Sequence, residues 1–191
     1  RQRQMCIRDR LDISDPHTRG MKYLLWMRDS RLKVRKLSKI ALVLWDAIVR
    51  VVQVAYKEYL AVPQLQKATV HPDTLDDPGY SMSKDYILGL VRDSLDKEIS
   101  DHMLMMNVTE VEETLFRLMI RVSPGSQEEI RKLLEFLENP VPVHGESGKM
   151  VFPLTYKAAF MLMEKWEMCK QRLVELKQPL PNPMSAWPAV E

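Results

Sequence analysis

Apolar residues recur at intervals of three and four along most of the chain, which is the spacing of one face of an α-helix. The longest pattern predicts a helix from Lys22 to about Leu60, broken near Asp29-Ser30 and ended by Val62-Pro63. A second pattern predicts a helix from Lys84 to about Met105, with Ser83 as its cap. These long patterns favour helix over sheet.

Two capping boxes lie close together in the second half of the chain. Thr109 is followed three residues later by Glu112, and Ser126 is followed three residues later by Glu129. Pro124-Gly125 separates the two resulting helices by a tight turn. The pattern predicts an αα-hairpin whose apolar faces pack against each other. The residues predicted to meet at its centre are Leu115, Leu118, Leu133 and Leu134.

A last helix is predicted from Pro153, which suits a first turn, to about Lys177. Four prolines follow in the tail, and a segment of turn residues over 64–81 separates the earlier helices. The fold prediction is therefore an all-α irregular bundle of about five helices. Its helical domain would span 22–178, with a flexible N-terminal segment over 11–21 and a Pro-rich tail over 179–191.

The first ten residues, RQRQMCIRDR, read as the in-frame translation of a transposon-end adapter used in sequencing libraries. We exclude them from fold reasoning. They hold four Arg and one Asp, so without them the net charge falls from +2 to −1. We expect the natural N-terminus to lie elsewhere: Met21 could be an initiator, or the chain is a fragment.

A basic cluster begins the first long helix. One interpretation is a patch for acidic lipid or nucleic acid, and the other is the solvated side of an amphipathic helix, which we favour. Without aromatic interleaving or a basic net charge, we expect no nucleic-acid partner, and membrane-surface binding is disfavoured. Arg31 and Arg35 remain candidates for contact with a protein partner. The cluster comprises Arg28, Arg31, Lys33, Arg35, Lys36 and Lys39.

No motif for catalysis, a cofactor or a metal ion stands in the sequence. The four histidines are scattered, and the carboxylates Asp73, Asp76 and Asp77 lack the spacing of a calcium loop. There is no phosphate-binding loop and no Gly-x-Ser-x-Gly elbow. Outside the adapter-like residues Cys169 is the only cysteine, which favours a reducing compartment and a cytoplasmic location. We therefore predict no catalytic, cofactor-binding or metal-binding residues.

The stretch TLFRLMIRVSPGSQEEIRKLLEFLE, the loop HGESGKM and the aromatic-apolar helix that follows resemble a known family. They are similar to the second half of the Rho GTPase-activating (RhoGAP) helical fold, closest to the degenerate RhoGAP-like region of DEP-domain-containing proteins. The likeness covers residues 112–163, and Lys149-Met150 after the loop is its best single point. It implies a small GTPase as partner and makes Lys149 and Met150 candidate contact residues.

The chain also departs from the RhoGAP pattern. The family's arginine loop, Gly-x-x-Arg-x-x-Gly, is absent, and Pro153-Leu154-Thr155-Tyr156 stands where the family has Asn-Leu-Ala. Without the arginine finger, stimulated GTP hydrolysis is not expected. Trp187 in the tail is a further candidate anchor for a partner.

The leading hypothesis is a non-enzymatic helical protein-interaction domain of RhoGAP-like fold. Two alternatives remain open: a helical assembly subunit or viral structural protein, and an enzyme of unrecognised helical type. A concentration-dependent mass would support the former, and a deep pocket with convergent titratable side chains would support the latter.

Overall fold

The computed structural model describes residues 10–138 and 156–181, and every regular element in those ranges is helical. The all-α prediction is confirmed. Two 3-10 turns, Gln64–Thr69 and Pro78–Tyr80, lie in the segment predicted to be irregular. The α-helices of the described residues are α1 (Arg19–Arg35), α2 (Lys39–Ala61), α3 (Ser81–Asp93), α4 (Lys97–Met105), α5 (Val111–Val122), α6 (Gln127–Glu138) and α7 (Tyr156–Glu175).

The single helix predicted from Lys22 to Leu60 is wrong: it is two helices, α1 and α2. The break falls at Ser38 rather than at Asp29-Ser30. Ser38 is extended, with φ −166° and ψ 164°, and its hydroxyl accepts a 2.9 Å hydrogen bond from the Ala41 amide. An N-cap in this conformation starts a new helix, which the apolar spacing alone does not reveal.

The helix predicted over 84–105 is also two helices, α3 and α4, which end and begin on either side of Ser94–Asp96. Ser94 is buried and turns its hydroxyl to the Val91 carbonyl, at 2.8 Å. The same hydroxyl accepts a 3.0 Å hydrogen bond from Trp26 Nε1. Because each of these two predicted helices is divided into two, the described residues form seven α-helices rather than about five.

The chain divides into two compact units, whereas the sequence indicated one helical domain over 22–178. The larger unit holds described residues 10–12 and 22–122. The smaller unit holds described residues 13–21, 123–138 and 156–181. Helix α1 contributes its first three residues to the smaller unit and the remainder to the larger one.

In the larger unit, α2 packs against α5 and α3. The buried face of α2 includes Leu44, Trp45 and Ile48, while α5 buries Leu115 and Leu118. Burying each such side chain contributes roughly 1.5–3 kcal/mol relative to leaving it exposed. This shared apolar interface holds the larger unit together.

Leu11 belongs to this core, although the sequence placed it in a flexible segment. Its side chain is buried, and its amide donates to the Ser94 carbonyl at 2.8 Å. It also forms an isolated parallel bridge with Leu95. Burial of an apolar side chain together with a backbone hydrogen bond fixes the chain at this point.

Both helices of the predicted αα-hairpin and the turn between them exist, and each helix packs on other helices of its own unit. Helix α5 belongs to the larger unit, where it packs on α2 and α3, and α6 packs on α7 in the smaller unit. The turn is as expected: Gly125 has φ +76°, a conformation that glycine adopts without steric cost. Helical spacing showed that each helix has an apolar face but not which helix covers it.

The two capping boxes have different outcomes. Ser126 caps α6, with its Oγ accepting from the Glu129 amide at 3.1 Å, as predicted. The Glu129 carboxylate reaches back to the Gly125 amide, one residue earlier than the motif requires. The first box is wrong, because Glu112 is buried and its Oε1 accepts from the Leu75 amide at 3.1 Å instead.

In the smaller unit, the core lies between α6 and α7. Leu133 and Leu137 from α6 meet Cys169 and Leu173 from α7. Burial raises the pKa of the Cys169 thiol to about 12, so it is an inert core residue. Tyr156, Phe160 and Met163, in the first half of α7, are exposed.

One buried ion pair joins α6 to α7. Arg172 Nε donates to Glu129 Oε1 at 3.0 Å, and its Nη2 lies 3.3 Å from Glu129 Oε2. Both side chains are almost fully buried. Gly20 approaches so closely that a Cβ there would lie 1.8 Å from Glu129 Oε1. The carboxylate is therefore held on several sides within the smaller unit.

Asp15 is a second fixed carboxylate of the smaller unit. It accepts hydrogen bonds from the His17 amide at 3.0 Å and the Thr18 hydroxyl at 3.1 Å, and it pairs with Lys165 at 2.8 Å. Burial alone would raise the pKa of this carboxyl. The hydrogen bonds from Lys165, His17 and Thr18 and the charge of Lys165 outweigh burial and lower the pKa to about 2.

A carboxyl whose pKa is depressed in the folded protein stabilises it above the unfolded pKa, and this stabilisation is lost as the pH falls through the folded value. We expect Asp15→Asn to lower the free energy of unfolding at neutral pH by on the order of 1–2 kcal/mol, after allowance for solvent screening. The difference from the unmodified protein should shrink from about pH 4 and vanish near the folded pKa of about 2. Urea denaturation across this range measures it.

The control is Asp12→Asn, because Asp12 pairs with Lys22 at 2.7 Å but is more than half exposed. We expect this change to have little effect at any pH. An Asp15→Asn effect that did not depend on pH would show that Asp15 acts through shape and hydrogen bonding rather than through its charge.

Candidate functional site

Three of the five residues singled out from the sequence, Lys149, Met150 and Trp187, lie outside the described residues. The other two, Arg31 and Arg35, lie on α1 in the larger unit and are exposed. The candidate site among the described residues is therefore the part of α1 that carries these two arginines.

Arg31 is held against α2 by Asp46. Its Nε and Nη2 donate to Asp46 Oδ1 and Oδ2, each at 2.8 Å. The hydrogen bond from Arg31 lowers the pKa of the Asp46 carboxyl, and the same bond raises the pKa of the Arg31 guanidinium. This parallel two-point geometry is the strong form of an arginine–carboxylate contact, and it orients the guanidinium on the surface.

A groove of about 330 Å³ opens beside this pair. Its lining includes the apolar side chains Tyr23, Trp45 and Met119, together with Arg28 and the Arg31–Asp46 pair. Pockets with an apolar floor and a few oriented polar groups are the usual form of a binding site. Burial raises the pKa of the Tyr23 hydroxyl, so this ring stays neutral at physiological pH.

Leucines stand on the outward side of α1, although its inward side is already covered. Leu25 and Leu32 are 48% and 43% exposed, and Leu24 is also exposed. The inward side holds Tyr23 and Trp26, which are buried. A surface helix normally keeps its apolar residues on one side. We call the outward set the α1 face: Leu24, Leu25, Arg28, Arg31, Leu32 and Arg35.

The sequence singled out the arginines of the α1 face but missed its leucines. Leu25 and Leu32 are seven residues apart and thus lie on the same side of the helix. That spacing was visible, but it is also the spacing of core residues, and only the burial of Tyr23 and Trp26 shows that the leucines face outward.

A second, larger cleft of about 670 Å³ lies along α4 and α5 in the same unit. Met103, Met105 and Met106 line it, and Met105 is exposed. Methionine surfaces adapt to different partners, so this cleft competes with the α1 face as a contact surface. Leu104 on α4 is also exposed, although it does not line the cleft.

A polar cleft of about 350 Å³ adjoins the start of α5, and it is where the enzyme alternative would be placed. Glu113 lies 3.3 Å from His71 and 2.6 Å from Arg117, so these charges compensate one another. The buried Glu112 lies 3.1 Å from Lys84 Nζ, and its Oε2 has no hydrogen-bond partner among the described residues. The arrangement offers paired charges rather than a free nucleophile with a neighbouring base.

Burial would lower the pKa of Lys84, but its hydrogen bonds to Glu110 and Glu112 raise it, so this side chain stays charged. Within 10–138 and 156–181, no three His, Cys, Asp or Glu residues are grouped as metal ligands would be. In the same ranges, no helix combines the length and the apolar character that a membrane crossing needs.

Comparison with known proteins gives no match: no family model, curated protein or solved structure is significantly similar to the chain.

Proposed function

We propose that this chain is a helical protein-interaction domain and that the α1 face contacts the partner. The observation that carries the proposal is the exposure of three leucines on α1, one of which, Leu24, lines an apolar groove together with Arg31, which Asp46 holds in place. Aromatic residues, methionine and arginine are enriched at interface centres, and this groove is lined by Tyr23, Trp45 and Met119 beside Arg31. If the α1 face were only the solvated side of an amphipathic helix, exposed leucines would not be expected on it.

The resemblance over 112–163 names a partner class, a small GTPase. No Gly-x-x-Arg-x-x-Gly loop is present, and Arg31 is engaged by Asp46 through two of its nitrogens. An arginine that stabilises phosphoryl transfer must instead reach the transferred group. The proposal is therefore binding without accelerated GTP hydrolysis, in the cytoplasm, where a lone cysteine such as Cys169 remains a thiol.

Leu32→Asp is expected to weaken binding to the responsive member of a small-GTPase panel by about tenfold or more, because a charge then enters the centre of the contact. Isothermal titration with each GTPase, loaded with GDP or with a non-hydrolysable GTP analogue, measures the change. Leu32 is exposed, so the substitution should leave the fold intact.

Leu104→Asp is the matched control, an exposed leucine on α4 of the same unit. If Met105→Asp, in the methionine-lined cleft, weakens binding and Leu32→Asp does not, the contact surface is that cleft and the α1 face is excluded. A chain that binds no member of the panel contradicts the GTPase assignment. Stimulated GTP hydrolysis contradicts the non-enzymatic part of the proposal.

A further inference from the structure

Helix α2 carries a second apolar face that no element of its unit covers. Its buried face, which includes Leu44, Ile48 and Val52, packs within the larger unit. On the other side, Ile40, Val43 and Val54 are 59%, 61% and 67% exposed. We call this outward set, with the half-buried residues between them, the α2 stripe: Ile40, Val43, Ala47, Val51 and Val54.

The α2 stripe has the spacing of a helix-docking surface. Its members follow one another at intervals of three, four, four and three residues, so they lie along one line of the helix. The stripe covers about 21 Å, or roughly four helical turns. A helix laid along such a line buries apolar side chains at each turn, which is the general form of helix recognition in a groove.

A cleft of about 220 Å³ opens at the second half of the stripe. Val51, Val54 and Ala55 form its apolar lining, while Glu58 and Asp73 are among its polar lining residues. This cleft is large enough to receive an aliphatic side chain from a docked helix. It gives the otherwise convex stripe one concave anchoring point.

The charges beside the stripe are unequal. Lys39, Arg50 and Lys57 are all exposed, and their spacing of eleven and seven residues places them along one edge of α2. Asp46 lies on the same edge, but Arg31 binds its carboxylate through two hydrogen bonds and offsets its charge. Arg50 also lines the cleft, together with the carboxylates of Glu58 and Asp73. A partner that follows the stripe therefore meets an edge of net positive charge, and complementary carboxylates on that partner would fix its orientation.

We propose that the α2 stripe binds an amphipathic helix of another protein, one that carries acidic residues along the edge facing Lys39, Arg50 and Lys57. An antiparallel second copy of this chain is disfavoured, because Lys39 of one copy would approach Lys57 of the other. An anionic membrane is disfavoured too, because Glu58 and Asp73 would face lipid phosphates. The stripe is distinct from the α1 face, so either contact can fail alone.

The test uses the full chain and two synthetic helical peptides of about 18 residues, the length that follows the stripe. Both carry leucines at intervals of three and four, one with glutamates along a single edge and the other with lysines there. In fluorescence anisotropy, the glutamate peptide should bind at least about tenfold more tightly than the lysine peptide. Arg50→Glu should reduce or reverse this preference.

Val43→Asp should weaken the glutamate peptide by about tenfold or more, and the milder Val43→Ser should weaken it in the same direction. Leu32→Asp, on the α1 face, should leave peptide binding unchanged, which separates this proposal from the GTPase contact. Circular dichroism of each variant verifies that the helices are retained.

Three results would overturn the proposal. One is equal affinity for the two peptides, or no affinity for either. Another is a concentration-dependent mass in sedimentation that Val43→Asp abolishes while peptide binding is absent, which assigns the stripe to a second copy. The last is cosedimentation with phosphatidylserine vesicles, abolished by Val43→Asp in the absence of peptide binding, which assigns it to a membrane surface.

Discussion

Arg172→Met is expected to lower the free energy of unfolding by about 3–5 kcal/mol, because it leaves the carboxylate of Glu129 buried without its cation. Both members of the pair are nearly inaccessible to solvent, at 7% and 2% side-chain exposure. The carboxylate cannot turn towards water, since Gly20 lies against it and the Gly125 amide donates to it. Urea denaturation followed by circular dichroism measures the loss.

The same substitution on the surface provides the control. Arg131 lies 2.9 Å from Glu128 and 3.3 Å from Glu135, but all three side chains are about half exposed or more. Arg131→Met should lower the free energy of unfolding far less than Arg172→Met does, because solvent screens such pairs. If Arg172→Met cost no more than Arg131→Met, the burial of the Glu129–Arg172 pair would be contradicted.

A double variant separates the pair's net contribution from the cost of an orphaned charge. Glu129→Leu with Arg172→Met removes both charges and leaves apolar side chains in their place. We expect this protein to be more stable than Arg172→Met alone, since replacing a buried ion pair by apolar residues is often neutral or stabilising. A double variant less stable than the single one would mean that the pair itself, with the Gly125 contact, stabilises the smaller unit.

Local signals predicted the local features of this fold. Val62-Pro63 follows directly after α2, and Ser126 caps α6, because proline geometry and a hydroxyl cap act within a few residues. The break at Ser94 is different. It depends on Trp26, 68 residues earlier in the chain, whose indole donates to the Ser94 hydroxyl. A pattern of apolar spacing holds no information about such a partner.

The division into two units could not be predicted for the same reason. Helices α5 and α6 are both amphipathic and are joined by a tight turn, which is the pattern of a hairpin. The structure covers their apolar faces with α2 and α7 respectively. The spacing of apolar residues shows that one face of a helix is buried. Which other helix covers that face depends on side-chain shapes and on the whole topology.

The candidate site was predictable only in part. Arg31 was identified from its place in a basic cluster, but its partner Asp46 lies on what proved to be a separate helix. Both α1 and α2 have apolar residues on two sides. Because the core face and the exposed face of a helix share the same residue spacing, the sequence pattern does not tell them apart. Thus helical spacing alone does not reveal that Ile40 and Leu32 are exposed.

Leu133→Ala is expected to lower the free energy of unfolding by about 2–5 kcal/mol, through lost burial and the cavity left between α6 and α7. Leu133 is 1% exposed in the core with Cys169 and Leu173. Leu134 packs at the edge of this cluster and is only partly buried, so Leu134→Ala should cost less, although a hairpin with α5 would have made it central. Urea denaturation of both variants compares them.

Combining Leu133→Ala with Leu173→Ala should give a cost that differs from the sum of the single costs by about 0.5 kcal/mol or more, as neighbours in one core do. A larger loss for Leu134→Ala than for Leu133→Ala, or strict additivity of Leu133 and Leu173, would contradict the packing of α6 on α7.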